Sequence, residues 1–550
     1  MMGRELRFGI SLSGTTLERW QMKCVQDILE LEGLKLALVI QEPELGNRSP
    51  NSNRALLFRS YCKLLVRPPA IARLDATSLI SDTPRLAPKI TSQSLGDDDV
   101  EEIRRHDLDF VLKFSDGNFA DRAVVATRYG VWSFHHGDPY SYKGGPRCFW
   151  EIYHNDAVTG AALVRVMEMP GSDVVLRKGF FRTQSSSYSR NLQLVCSESS
   201  RWPAQVCLDI LSDNADYLAS PSNSTCKRVI SSPNNRQTTR FLLKLFVDRL
   251  RGVFRSLFRY SFRNIGVVEA PIERFLDPAF KPKIDWLPRP PKGEFRADPF
   301  GMLESPNIHV FYENLDYHAP KGIIYTIQVN QGAFSSPPQK MIELPVHMSY
   351  PFLVEHEGEL YCVPETNRAR EIGVYKSTRF PEEWQRVGTL LSDVMAIDTT
   401  IFQHDGMWWM MFTDREKGGD ANLYVWYAPD FWGPWKPHMN NPVKSDVRSA
   451  RPGGTPFYHE GALYRPAQDC SKTGGGKTVI NRIKRLSPTL FDEEAVAVVE
   501  PDPNGPYPEG LHTISKVGDF TLVDGKRFEF SAFGLLNNIV KGVRRTLDRE

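Results

Sequence analysis

The sequence predicts two fold classes in one chain: an α/β domain with a mainly parallel sheet, then an all-β five-bladed β-propeller. Two observations carry this. Between residues 5 and 180, short apolar runs alternate with segments of helical periodicity. After Asp298 a strand–turn–strand unit recurs about every 50 residues, the period of a propeller blade.

The α/β pattern reads in chain order. Leu6–Leu12 is an apolar run ending in Ser-Gly, a strand followed by a turn. Leu17–Leu31 has helical spacing and Leu34–Ile40 is a second strand. Asp97–His106 starts acidic and ends basic, which suits a helix dipole. Asp109–Lys113 is a strand, Phe119–Tyr129 a helix and Gly130–Phe134 another strand. Parallel α/β sheets bind ligands at the carboxyl ends of their strands, and His135 and His136 fall there. Residues 183–285 are expected to connect the two domains. Within them, 240–262 (RFLLKLFVDRLRGVFRSLFRYSF) is amphipathic, with a basic second face. Two uses fit it: packing on a neighbouring domain, or lying on an anionic membrane.

Four segments share one pattern: PFLVEHEGELYCVPET, TIFQHDGMWWMMFTD, TPFYHEGALYRPAQD and HTISKVGDFTLVDGKR. DPFGMLESPNIHVFYEN is a fifth copy with a longer turn. Five copies predict five blades over 286–535, with 536–550 as an amphipathic tail. Trp408 and Trp409 are expected in blade cores. Gly474–Lys477 (GGGK) lacks Walker spacing and reads as a turn.

Composition narrows the function classes. A net charge of +2 gives no broad electrostatic case for nucleic acid. None of the 8 cysteines is spaced as CxxC, so no metal centre and reduced thiols are expected. The N-terminus lacks a signal-peptide core and no apolar run reaches about 18 residues. The expected location is cytoplasmic, with peripheral contact to the inner membrane face through 240–262.

The stretch VWSFHHGDPYSYKGGPRCFWEIYHNDAVTGAALVRVMEMPGSDVV resembles the active-site region of the formyltransferase family. That resemblance implies a Rossmann-type fold over about residues 5–180 and 10-formyltetrahydrofolate as cofactor. It places His135 on the catalytic histidine and Lys143-Gly144 on an Arg-Gly pair. Thr159-Gly160 falls on a Thr-Gly pair and Asp173, after a two-residue insertion, on the catalytic aspartate. Ser133 stands where the family has asparagine, and GDPYSY replaces its Leu-Pro element. The implied chemistry is formyl transfer to the amine of an amino sugar. A histidine and a neighbouring donor stabilise the formyl oxyanion, and an aspartate orients the histidine and relays the proton. His136, Asp138, Lys143 and Gly144 would line the substrate.

RADPF, YPFLVEHEGELYCVPE and AIDTTIF resemble the propeller of glucosamine inositolphosphorylceramide transferases, and the repeats resemble five-bladed glycosidases. Asp298, Asp398, Arg451 and His512 are expected at corresponding points of four blades. Glu365, Asp414 and Gln468 come from second strands. One polar residue per blade at one register converges on the axis and suits a glycan pocket. Three readings follow: formyl transfer with a glycan-holding propeller, a glycosyltransferase or glycosidase with its site in the propeller, and a non-catalytic glycan-binding scaffold.

Overall fold

Leu6–Ser13, Leu34–Glu42, Phe110–Lys113 and Val131–His135 are apolar enough to be covered on both faces, and they pair in parallel, with Arg85–Leu86 as a short parallel edge. Val158–Val166 and Val174–Arg182 extend the sheet antiparallel. The computed structural model describes residues 5–42, 55–88, 95–115, 123–138, 140–142, 144–167, 173–219, 231–319, 321–330, 333–334 and 336–530. The chain divides into two compact units, Met1–Arg249 and Leu250–Glu550.

In the first unit the strand order starts at Arg85–Leu86 and runs through Leu34–Glu42 and Leu6–Ser13 to Phe110–Lys113 and Val131–His135. The order therefore reverses between Leu6–Ser13 and Phe110–Lys113, where doubly wound sheets leave a crevice. Stacked Phe8, Phe110 and Trp132 fill the sheet's core face. The helix Arg19–Leu29 buries Trp20, Cys24, Val25 and Ile28, spaced at helical intervals. The expected helix Phe119–Tyr129 falls partly outside the described residues, and its described part is a short 3-10 turn, Val124–Ala126. Inside the expected connecting region lie two packed helices, Tyr188–Ser199 and Trp202–Leu211. Leu192, Val195 and Cys196 give the first its buried stripe beneath a Ser-rich composition.

The second unit is a five-bladed β-propeller. Four blades open with Glu294–Glu304, Ser349–His356, Ala396–His404 and Phe457–His459. The fifth combines chain ends: Ile514–Val517 and Phe520–Phe530 pair with Arg259–Val268 and Asp285–Trp286. Ten residue pairs between Arg259–Val268 and Phe520–Phe530 close the ring. The amphipathic segment is the helix Asn235–Phe258, after which the chain turns directly into this closing strand. Residues 536–550 lie outside the described residues.

Trp408 and Trp409 are buried in inter-blade cores. The Gly474–Gly475 turn accepts the buried Lys526 ammonium through two carbonyls, at 2.5 and 3.1 Å. Gly454 has φ +134°, and a Cβ there would lie 1.8 Å from the Ile514 carbonyl oxygen. Gly454→Ala should therefore destabilise the propeller by about 2 kcal/mol, read as a lower urea midpoint with unchanged slope.

Candidate functional site

Three first strands carry a β-bulge at the same place. Pairing skips from Ala297 to Phe300, from Ser349 to Phe352 and from Ile397 to Thr400. The first bulge residue is left-handed each time: Asp298 (φ 53°), Tyr350 (φ 45°) and Asp398 (φ 53°). A bulge re-aims its side chain out of the sheet's alternation. These three side chains accordingly reach other blades.

Asp298 meets the fifth blade. Its Oδ1 lies 3.1 Å from His512 Nε2 and accepts from Thr513 Oγ1 at 3.2 Å. His512 Nδ1 is 2.6 Å from Asp524 Oδ1, which also accepts the His512 and Thr513 amides, each at 3.1 Å. Asp398 crosses to the fourth blade, accepting from Arg451 Nε and Gln468 Nε2, each at 2.5 Å. Arg451 also donates to Asp420 at 3.0 Å. Glu365 accepts from the Asp398 amide at 3.1 Å and from Asn367. Tyr350 bonds Thr400 at 2.9 Å and the Gly454 amide at 2.8 Å. Glu313 lies against His347, 3.3 Å away.

The environments push these carboxyls apart. Burial alone would raise Asp298, but the hydrogen bond and charge of His512, with Arg263 and Arg451, take it down to about 2. Burial and the neighbouring Asp398 push Glu365 up to about 8. Burial, then the charge of Asp298, holds Glu313 well above the ordinary carboxyl range. Arg451 resists burial because Asp398 and Asp420 hold it charged. The axis thus holds carboxyls pushed in opposite directions, Asp298 and Asp524 down and Glu365, Glu313 and Asp398 up. Gln468 Oε1 and Thr413 Oγ1, both buried, have no hydrogen-bond partner. Asp298, His512 and Asp524 could together hold a metal ion. The Arg263 guanidinium contacts His512 and stands 3.7 Å from Asp524, supplying a cation there already.

The expected ring is therefore brought together in part. Asp298, Asp398, Arg451, Gln468 and His512 form one bonded set, and Glu365 joins it through the Asp398 amide. Arg451 is not the bulge residue of its blade; the matching second-blade position is Tyr350. Asp414 is corrected: Thr413 pairs with Ile397, as Glu365 pairs with Ser349. One residue further along a strand faces the other way. Asp414 accepts the Glu416 amide at 3.0 Å and closes a turn. Glu313, Tyr350 and Asp524 escaped the sequence reading, although VFYE aligns with CVPE and would have flagged Glu313.

In the α/β unit, Ser133 and His136 line a cleft of about 480 Å³ with Glu18, Lys113 and Arg147. Arg147 grips Glu18 through two bonds of 2.8 Å. His136 is buried edge-on against Trp20 and lies 3.1 Å from Ser199 Oγ. Burial, then the Arg147 charge, keeps it neutral, well below the ordinary histidine range. His135 lines a smaller cavity with Glu151, which burial raises to about 7. Asp138 accepts the Tyr140 amide at 3.1 Å and Ser141 Oγ at 2.7 Å, closing a turn. Gly144 is exposed with φ +85°. Lys143 lies outside the described residues.

His135 pairs with Ala162, whereas Asp173 accepts the Met167 amide beside Val166, the partner of Val131. Four residues of strand put these ends about 13 Å apart. The two positions of the expected histidine–aspartate relay are thus four strand residues apart along the sheet.

The propeller's matches name a different chemistry. Residues 290–504 match the family model described as glucosamine inositolphosphorylceramide transferase 1, N-terminal. A rice (Oryza sativa subsp. japonica) glucosamine inositolphosphorylceramide transferase 1 is 36% identical over 208 residues, 37% of this chain and 28% of that protein. The chain thus spans little more than a quarter of that relative's length. Two solved structures resemble parts of the chain. A phosphoribosylglycinamide formyltransferase from Anaplasma phagocytophilum has 16% identity and TM-score 0.28, covering 38% of this chain and 89% of that one. An α-L-arabinofuranosidase from Podospora anserina has 9% identity and TM-score 0.33, covering 43% and 91%. The expectation of formyl transfer from 10-formyltetrahydrofolate is overturned by the curated relatives, which are named as glucosamine inositolphosphorylceramide transferases. Folate is withdrawn with it.

Proposed function

We propose that the chain is a glycosyltransferase of glycolipid or glycan assembly, acting at the propeller axis. The observation that carries this is the split of one buried carboxyl cluster into an ionised Asp298 and a protonated Glu365. Such a pair can supply both the base and the acid for chemistry at a glycosidic bond. Asp298 takes the proton from the attacking hydroxyl of the acceptor, and Glu365 gives one to the oxygen that leaves the sugar. Burial, then the charge of Asp398, keeps Glu365 protonated. The orphaned Gln468 Oε1 and Thr413 Oγ1 suit a hydroxyl-rich ligand. The name of the rice relative supports a glucosamine donor and a sphingolipid acceptor.

The test is transfer of labelled glucosamine from nucleotide-linked donors to inositolphosphorylceramide, with the wild-type chain, Glu365→Gln and His135→Ala. Transfer is expected from wild type and His135→Ala and lost in Glu365→Gln. No transfer by wild type across donors, or transfer surviving Glu365→Gln, overturns the reading.

A pH profile gives a second check. Glu365 must keep its proton, so turnover should fall as pH rises through about 8. Asp298 must stay ionised, and with its value near 2 no acid limb should appear between pH 5 and 7. The stability sign agrees: a depressed carboxyl stabilises above its unfolded value and loses that only as pH falls through its folded one. The alkaline limb belongs to the coupled carboxyls and should move or vanish in Glu365→Gln.

A further inference from the structure

We infer that the helix Asn235–Phe258 is a membrane-surface helix, lying along an anionic lipid bilayer. Its first turns are anchored. Phe241 is fully buried against Tyr61, Phe149 and Tyr188, and Thr238 is buried one turn earlier. At 100° per residue these two face one side. On the opposite side Leu243, Phe246, Leu250, Val253 and Phe254 form one stripe, each more than half exposed (Leu243 63%, Phe254 53%). An apolar stripe on the side of a helix turned away from its own core calls for an external partner.

Charge selects that partner. The helix carries Arg236, Arg240, Lys244, Arg249, Arg251 and Arg255 against Asp248 alone. Arg251 flanks one edge of the stripe and Arg249 the other, where they would meet lipid phosphates and carboxylates, while Arg240 lies over the Tyr153 ring. A second copy of the helix would bring like charges face to face. Among the described residues no helix is long and apolar enough to cross a membrane, so the helix lies on the surface rather than spanning it. Phe530 is 71% exposed and stacks beside Phe258 and Phe254, adding an aromatic cluster at the helix's carboxyl end. Aromatic rings favour the headgroup level. This inference does not depend on the proposed transfer reaction.

The experiment is co-flotation of the full chain with phosphatidylcholine vesicles, with and without phosphatidylserine, across a salt series. The expected result is binding at least about tenfold stronger with phosphatidylserine, weakening as salt rises. Leu250→Glu, on the exposed stripe, should abolish flotation with unchanged circular dichroism. Arg249→Glu with Arg251→Glu should remove the phosphatidylserine preference. Failure of the wild type to float with either vesicle overturns the inference. So does a dimer in light scattering that Leu250→Glu dissolves, because the stripe would then belong to a second copy.

Discussion

Replacing Asp298 with Asn is expected to lower sugar transfer by about 10²–10⁴-fold while the propeller stays folded. Asn fills the same volume and is among the residues that tolerate the left-handed backbone found at Asp298 (φ 53°). Its amide oxygen can still accept from Thr513 Oγ1, now 3.2 Å from the carboxylate. What it loses is the negative charge of the carboxyl that His512, Arg263 and Arg451 hold ionised, at about 2. A base is thus removed from the axis with little change in shape. Asp414→Asn is the matched control: it changes the same chemical group one residue beyond the axial register, where the carboxyl closes a turn. Activity should survive there. Equal loss in both variants would show that the effect comes from blade folding. Full activity in Asp298→Asn would remove the axis from the chemistry altogether. Thermal melts of both variants establish that folded protein is compared.

The blades were readable because each repeat carries its own strand–turn–strand pattern. RADPF and AIDTTIF placed Asp298 and Asp398 at one register correctly. The bulge is what the period-2 reading could not see. It inserts one residue, so a count along the strand misassigns whatever follows. Tyr350 in YPF was therefore not singled out, although its hydroxyl joins the third and fourth blades. Asp414 is a different case: seven residues beyond the turn glycine stand Glu365, Thr413 and Gln468, so the count itself reaches Thr413. The amino-terminal part of the fifth blade was hidden for another reason. Its closing strand, RYSFRNIGVV, follows a basic amphipathic helix with no Gly or Pro between them, so helical periodicity runs on into it. In the α/β unit the strand order was legible and the roles of single residues were not. His136 is neutral because Trp20 and Ser199, both distant in sequence, bury it. The motif gave the order of His135 and Asp173, but the hairpin Val158–Arg182 sets their distance.

The largest expected loss of stability is at Glu493. This carboxylate is buried with three partners: Arg465 Nε at 3.0 Å, Arg465 Nη2 at 2.6 Å and Lys444 Nζ at 2.7 Å. The Arg465 side chain is 0% exposed and also donates to the Ser449 and Ala450 carbonyls. Lys444 belongs to the third blade and Arg465 to the fourth, so Glu493 ties two blades together. Glu493→Gln keeps the shape and leaves the buried Arg465 and the part-buried Lys444 without their counter-charge. Removing one partner of a buried ion pair costs about 3–5 kcal/mol, because the other stays desolvated. Denaturant melts should read that loss at neutral pH. The sign of the pH dependence separates charge from packing. Burial would raise Glu493, but Arg465 and Lys444 outweigh it and hold it below 4.5. Its stabilisation is therefore complete above the unfolded value and disappears as pH falls through the folded one. Wild type and Glu493→Gln should converge in stability in acid. A gap that stays constant down to pH 3 would mean that lost packing, not the ion triad, separates them. Arg465→Met combined with Glu493→Leu supplies the remaining leg. If charge desolvation sets the cost, the apolar pair recovers much of the loss, whereas a stability as low as the single variant's would refute that account.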